Sequence, residues 1–583
     1  MLERETVPEL YPIKSIMHVR GVLATHTHDR SRPPVPSTTP SIPQNIGPRE
    51  GCHRLNPLVE ASTAEVFVSK LKQIQGSKDS SWHFDDNQHL TESQRLGYEY
   101  FSLSFDTSHE KCTFKLPPFP YAIHLLEQFT IYFGHDWHWF RLKSFRRQLE
   151  NTYMMRDSIE AKNRIWLCKL LVVLALGESA TAGQDSEHDI ESDCSNPRSD
   201  QASPPGIDLF EQALRLLNIP YENALIDHVE VLNMIALYSN QLNRQKTAYM
   251  YAGSSARLCN QLQLHHASCS PGHSFVEREH RKRVWWSTYC LDQMTSLQRG
   301  LLPTLHADQT DLHYPSQASI PLEDTSEFAD PDYLTARIQL TIIQANISKS
   351  ISDFDHDASH ATETVLDPIL HQLTAWKAGL PSHMALEMED GMPEPTRSLP
   401  CMRSLANLHL RFNQCLILLL RPIILKQVAC IYANDERQSS EQDLQELNNA
   451  CLRAARSSVR ILVNIRSYGL LARLGLMENI HLFTSLMMVR LSLSINHQRP
   501  GSFDQHCNDA TTYAAGKEVL SYMMRSGSLA AKGHLNMLND IEELGNGMAS
   551  NGGLGANYEE QWDFDEWMNR LLQGEDMPDI YNT

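Results

Sequence analysis

QKTAYMYAGSSARLCNQLQLHHASCSPGHSFVEREHRKRVWWSTYCLDQMTSLQRGLLPTLHADQTDLHYP, residues 245–315, is the stretch on which the reading of this chain turns. Its first part sets Ala248, Tyr251, Ala252, Ser255, Cys259 and Leu262 at helical spacing, with small side chains where another helix can come close. Glu277 opens a second run, which passes through Arg278, Arg281, Lys282 and Arg283 and turns aromatic at Trp285, Trp286 and Tyr289. Val284, Thr288, Leu291 and Thr295 mark its buried side, and Gly300 is placed to end the helix. Two packed helices are predicted. Asp292 lies three turns inside the second one, where an unpaired carboxylate is costly, so an arginine or hydroxyl partner is expected.

The same periodicity extends outward. From Pro117 the chain reads as helix after helix: Ile123 to Phe133, Ile159 to Gly177, Leu209 to Leu217, Leu225 to Leu242, Tyr333 to Phe354 and Val365 to Trp376. Leu405 to Cys430 is the most apolar of them and is expected to break at Arg421-Pro422. A small-residue helix around Cys451 to Leu462 and another from Leu474 to Ile495 close the set. With no period-2 strands, the fold class is all-α, a multi-helix array of packed helix pairs with long disordered loops.

Composition divides the rest. Residues 1–60, rich in proline, serine and threonine, are expected to be a disordered N-terminal segment, and 61–114 are mixed and uncertain, with a short helix over Thr63–Gln75. Residues 115–500 form the helical domain. Within it, 178–206 carry seven acidic residues against one basic and are expected to be a disordered insertion. Residues 501–557 are expected to be a flexible tail. The last readable piece is 558–572, where Trp562, Phe564, Trp567 and Leu571 alternate with acids in the manner of an acidic amphipathic helix. Such a segment either folds onto a partner's groove or docks on its own domain.

The net charge of −19 argues that most of this chain is not a phosphate-binding surface. Twelve cysteines stand singly, none with the C-x2-C spacing of a zinc site, which is the usage of a reducing compartment. Leu170–Gly177 and Leu416–Ile424 are far short of the roughly 20 residues that span a bilayer, so no membrane partner is expected. There is no G-x-S-x-G, no P-loop and no H-E-x-x-H, and the pairs His135/His138 and His265/His266 lack further ligands at metal spacing. No catalytic, cofactor-binding or metal-binding residue is assigned, and no cofactor is visible in the chain.

The central block resembles the middle homology region of fungal-specific transcription factors, a regulatory domain usually found downstream of a zinc binuclear cluster. Tyr251-Ala252-Gly253 with Ala256-Arg257, the Leu262-Gln263-Leu264-His265 turn, Glu277 with Arg281 to Trp286, and Tyr289-Cys290-Leu291-Asp292 carry the likeness. The Leu-Pro-Pro entry at 116–118 and Leu418-Leu419-Leu420-Arg421-Pro422 extend it, while Gly300-Leu301-Leu302-Pro303 lacks the arginine that the family usually places after the glycine. The resemblance implies a structural signature of Tyr251, Arg257, Arg283, Trp285, Trp286, Tyr289, Asp292 and Gly300. It also implies a nuclear transcriptional regulator and not an enzyme. Transcription machinery or a coactivator is its expected partner, with a related factor as a homo- or heterodimer partner. DNA would be bound weakly, or through a zinc module that this chain does not show: either the protein never had it, or the sequence begins after it. A regulator that works by pairing with a full-length factor, and a helical enzyme without a recognisable motif, are the alternatives.

Overall fold

The structure, a computed structural model, describes residues 114–155, 158–180, 204–267, 272–351, 366–384, 399–432 and 441–550. The expected N-terminal segment 1–60, all but Phe114 of the mixed segment 61–114, most of the insertion and the acidic segment 558–572 lie outside the described residues.

Fourteen long helices occur among the described residues, and no strand: α1 Phe119–Phe129, α2 Leu142–Met154, α3 Arg164–Ala180, α4 Ile207–Leu216, α5 Ile226–Gln241, α6 Gln245–Gln261, α7 Phe275–Leu297, α8 Pro331–Ile351, α9 Asp367–Ala378, α10 Leu399–Tyr432, α11 Glu441–Ser467, α12 Leu476–Gln498, α13 Asp509–Arg525 and α14 Leu529–Ser550. The all-α array of helix pairs expected from periodicity is the fold. Consecutive helices pair (α5 with α6, α6 with α7, α10 with α11, α11 with α12), and α3 runs through the middle of the first half against α1, α4 and α5. Gly177 makes that crossing close: a Cβ there would lie 2.1 Å from the carbonyl oxygen of Leu125 on α1.

Two apolar cores result. The first is built from α1–α7, with Leu125, Phe129, Leu170, Leu174, Val231, Ile235, Trp285 and Leu291 among its buried members. The second is built from α9–α14, with Leu373, Leu408, Ile417, Leu462, Leu486, Val489 and Leu538. Helix α8 belongs to both: Leu334 and Ile338 face the first core, and Tyr333, Ala336, Leu340, Ile343 and Ile347 face the second.

The helices end in a common way. After α7, the Gly300 N–H donates to the Leu297 carbonyl (3.3 Å) and the Leu301 N–H to that of Ser296 (2.9 Å). Gly300 takes φ of +61°, which completes a Schellman stop. The same pair of bonds closes α6, where Gln263 (φ +52°) stands in the left-handed position, and α5, where Asn243 (φ +58°) does. At its other end α7 is capped by the Ser274 hydroxyl, which accepts the Glu277 N–H at 3.2 Å.

Two expectations need correction. Residues 501–557 are not a flexible tail over their described length, because α13 and α14 pack on α11 and α12. Val519, Leu520 and Met523, then Ala531, Leu535, Leu538 and Ile541, carry a helical stripe into the second core. Asp509, at the start of α13, is clamped by both guanidinium nitrogens of Arg456 (2.6 and 2.5 Å). The glycine- and asparagine-rich piece downstream drew attention from that stripe. Secondly, α10 does not stop at Pro422 but continues to Tyr432. The proline removes one donor, yet Ile417, Leu420 and Ile424 stay in one apolar seam across it. Beyond it, Gln427 and Asn448 of α11 exchange amide hydrogen bonds of 2.9 Å each. Burial on both sides of Pro422 outweighs the broken bond.

Candidate functional site

Helix α7 brings most of the sequence-selected residues together. Trp285 and Trp286 meet edge to face at 4.7 Å, and Trp285 stacks on Tyr289 at 5.8 Å. All three are buried. Trp286 Nε1 donates to the carbonyl of His313 (3.3 Å), which draws the following loop over the helix. Arg283, fully buried, donates Nε to Glu279 Oε1 (2.7 Å) and Nη1 to the carbonyl of Ala329 (2.7 Å), with its guanidinium 4.9 Å from the Phe328 ring. Arg281 reaches the Leu262 carbonyl (3.0 Å) and Lys282 that of Tyr314 (3.3 Å). The basic turn is thus spent on stitching loops to α7. Tyr251 is half-buried on α6, and Arg257 lies exposed on the same helix.

Asp292 departs from expectation. Its Oδ2 accepts the backbone N–H of Thr304 (2.6 Å) and of Leu305 (2.8 Å), where an arginine or hydroxyl was foreseen. Gln293 adds a bond from Nε2 to the Leu305 carbonyl (2.8 Å). Burial raises the Asp292 carboxyl above the usual range; the two amides, His306 and Arg257 oppose that rise. This pair of side chains fixes the turn after Gly300, so the block is structural in its contacts.

A buried polar chain runs beside it. His138 Nε2 lies 2.9 Å from His280 Nδ1, and His280 Nε2 lies 3.2 Å from Glu230 Oε1. Glu230 also pairs with Lys169, which in turn pairs with Asp227. With His280 directing Nε2–H to Glu230, its Nδ1 is left to accept from His138. Burial, with His280 and Arg283 nearby, holds His138 well below the usual imidazole range. The sequence reading noticed His138 only for its neighbour His135; its partner is 142 residues away.

Where the two cores meet, a cleft of about 550 Å³, its open mouth included, is lined by charged side chains that sequence reading missed. Arg403 on α10 donates to the carbonyls of Tyr132 (3.2 Å) and Leu470 (2.7 Å) and pairs with Glu478 on α12. Asp136 accepts from Tyr333 Oη (2.9 Å) and Asn407 Nδ2 (2.7 Å). Arg337 donates Nη1 to the Asp136 carbonyl (2.7 Å) and lies flat on Trp137, 3.5 Å from the ring. A signal was present: Arg403, Asn407 and Arg411 recur every fourth residue in an otherwise apolar helix. Among the described residues, no group of three or more His, Cys, Asp or Glu is placed to hold a metal. None of the described helices is long and apolar enough to cross a membrane.

Residues 129–378 match the fungal specific transcription factor domain. The chain is 25% identical over 288 residues to the thiamine repressible genes regulatory protein thi1 of Schizosaccharomyces pombe, covering 49% of this chain and 34% of that protein. It is 22% identical over 328 residues to an uncharacterized transcriptional regulatory protein of the same yeast, covering 56% of this chain and 38% of that protein. With activator of stress genes 1 of Saccharomyces cerevisiae it shares 25% over 269 residues, 44% of this chain and 26% of the relative. The chain therefore spans little more than a third, at most, of these relatives. No solved structure matches it. Residues 129–378 of this chain are a fungal specific transcription factor domain, and its relatives are fungal transcriptional regulators.

Proposed function

We propose that this chain is a nuclear transcriptional regulator of a fungus, with its helical body as the regulatory domain and residues 558–572 as the segment that recruits a coactivator. The observation that carries the reading is the family match over 129–378, set in a helical body that runs on to Ser550. The relatives' names and the net charge of −19 support it, since an acidic body suits protein partners better than phosphate. In the acidic segment, Trp562, Phe564, Trp567 and Leu571 supply apolar area for a groove, and the acids between them keep the free segment soluble and attract a basic rim.

The test is a fusion of residues 550–583 to a neutral DNA-binding module upstream of a reporter. Activation is expected, with loss when Trp562, Phe564 and Trp567 are changed to alanine together and only a reduction when one acid is neutralised. A silent fusion returns the segment to docking on its own domain.

A further inference from the structure

We propose that the cleft between the two cores is a binding site for a small organic monocarboxylate with a hydrogen-bond donor beside its carboxylate, as in an α-hydroxy acid. The cleft is open to solvent and shared by both halves: Asn240 comes from α5, Arg411 from α10 and His481 from α12.

The argument begins with charge. Arg403 and Glu478 neutralise one another. Asp136 contributes one negative charge, while Arg337 and Arg411 contribute two positive ones. His481, 4% exposed, is neutral, pushed down to about 3 by burial and by Arg411. The cleft thus carries one uncompensated positive charge in a region of low dielectric. It sits on Arg411, which among the described residues donates no hydrogen bond and makes no ion pair. Burial and then Arg337 push its guanidinium down to about 10. A cation so placed calls for an anion with bidentate geometry, the fit a carboxylate offers. A dianion such as phosphate overshoots the excess of one charge and confronts Asp136 and Glu478.

Unused hydrogen-bonding atoms then narrow the class. Asn240 donates Nδ2 to Gln298 (2.9 Å), but its buried Oδ1 has no partner. His481 Nδ1 is likewise buried without one. Buried polar atoms are rarely left so, and two of them in the wall of one cleft, beside a guanidinium in the same condition, describe a site awaiting a polar guest. A hydroxyl next to the carboxylate serves Asn240 Oδ1 as donor, and its oxygen remains an acceptor. Such a guest bridges the halves.

The proposal goes beyond the transcriptional reading, and its test uses purified full chain without DNA or a reporter, so the two can fail separately. L-lactate is the probe, and lactamide, of the same shape without the charge, is the control. Saturation-transfer NMR is expected to show the lactate methyl in contact with the protein and displaceable by excess unlabelled glycolate, with no signal from lactamide. The unfolding midpoint is expected to rise saturably with lactate against sodium chloride of equal ionic strength. Arg411→Met is expected to fold, because an apolar chain of similar length replaces a charge without a partner, and to weaken lactate binding roughly tenfold or more. Asn240→Asp, which sets a second anion against the hydroxyl acid, provides an independent loss. Equal signals from lactate and lactamide, no saturable signal from lactate, or undiminished binding in both variants overturns the proposal.

Discussion

Asp292 Oδ2 accepts the amide of Thr304 at 2.6 Å, so a carboxylate inside a core helix holds the loop that follows the helix's own end. The same oxygen takes the Leu305 amide. Replacing Asp292 by asparagine keeps an acceptor for both amides and is expected to cost less than about 1.5 kcal/mol, because it also removes a desolvated charge. Alanine strands both donors in the interior and is expected to cost about 2–4 kcal/mol. Urea denaturation of the two variants measures the difference, and equal losses would count against the amide assignment.

Trp285 tests the core of the same helix. It is 1% exposed and packed between Trp286 and Tyr289. Trp285→Ala is expected to lower stability by about 3–5 kcal/mol, the range for an aromatic removed from a tight interior. A variant as stable as its parent would show that this helix is not the centre of the first core.

Two buried histidines set an acid limit. His481 is pushed down to about 3 and His138 well below its ordinary 6.5. In the unfolded chain both return to about 6.5. Below that pH the unfolded chain therefore binds protons that the folded one refuses, and stability falls as pH falls. Each histidine contributes up to about 1.4 kcal/mol per pH unit, starting near pH 6.5. Between pH 6 and 5, above the carboxylate range, His481→Gln is expected to remove one histidine's share of the slope. An unchanged slope in urea melts at those two pH values would place His481 in water.

The C-terminal helices offer a fourth test. Gly516 of α13 sits directly over Val459, Leu482 and Leu486, and Arg456 depends on Asp509. A chain ending at residue 508 is expected to unfold at clearly lower urea and to bind a hydrophobic dye. Loss of the Asp509 partner alone is worth about 3–5 kcal/mol in a buried pair. An unchanged midpoint would make α13 and α14 dispensable.

Much of this architecture could be read in advance, and the reasons are local. Helix α7 announced itself because its cap Ser274, its buried side and Gly300 are all encoded within one stretch. Helix α3 did so because it is apolar all round. The failures are long-range. Asp292's partners are backbone amides, which have no letter in the sequence. His138 finds His280, and Arg403 finds Glu478, only through tertiary packing. Pro422 and the glycines of the tail gave correct local signals that burial overrode. The cleft was hidden for the same reason, since each of its residues reads alone as an ordinary polar interruption of a helix.

Helix α8 has a consequence for how this protein can be inherited. The family match stops at residue 378, yet Ile343 and Ile347 on α8, and Leu373 and Trp376 on α9, are buried in the core that α10–α14 complete. Trp376 even donates its indole N–H back to the Ala336 carbonyl of α8 at 3.0 Å. A recombination breakpoint at 378 would pass through the middle of a core and leave both products with half an interior. The unit that genes can exchange, and that expression vectors should carry, is the whole helical body from α1 to α14.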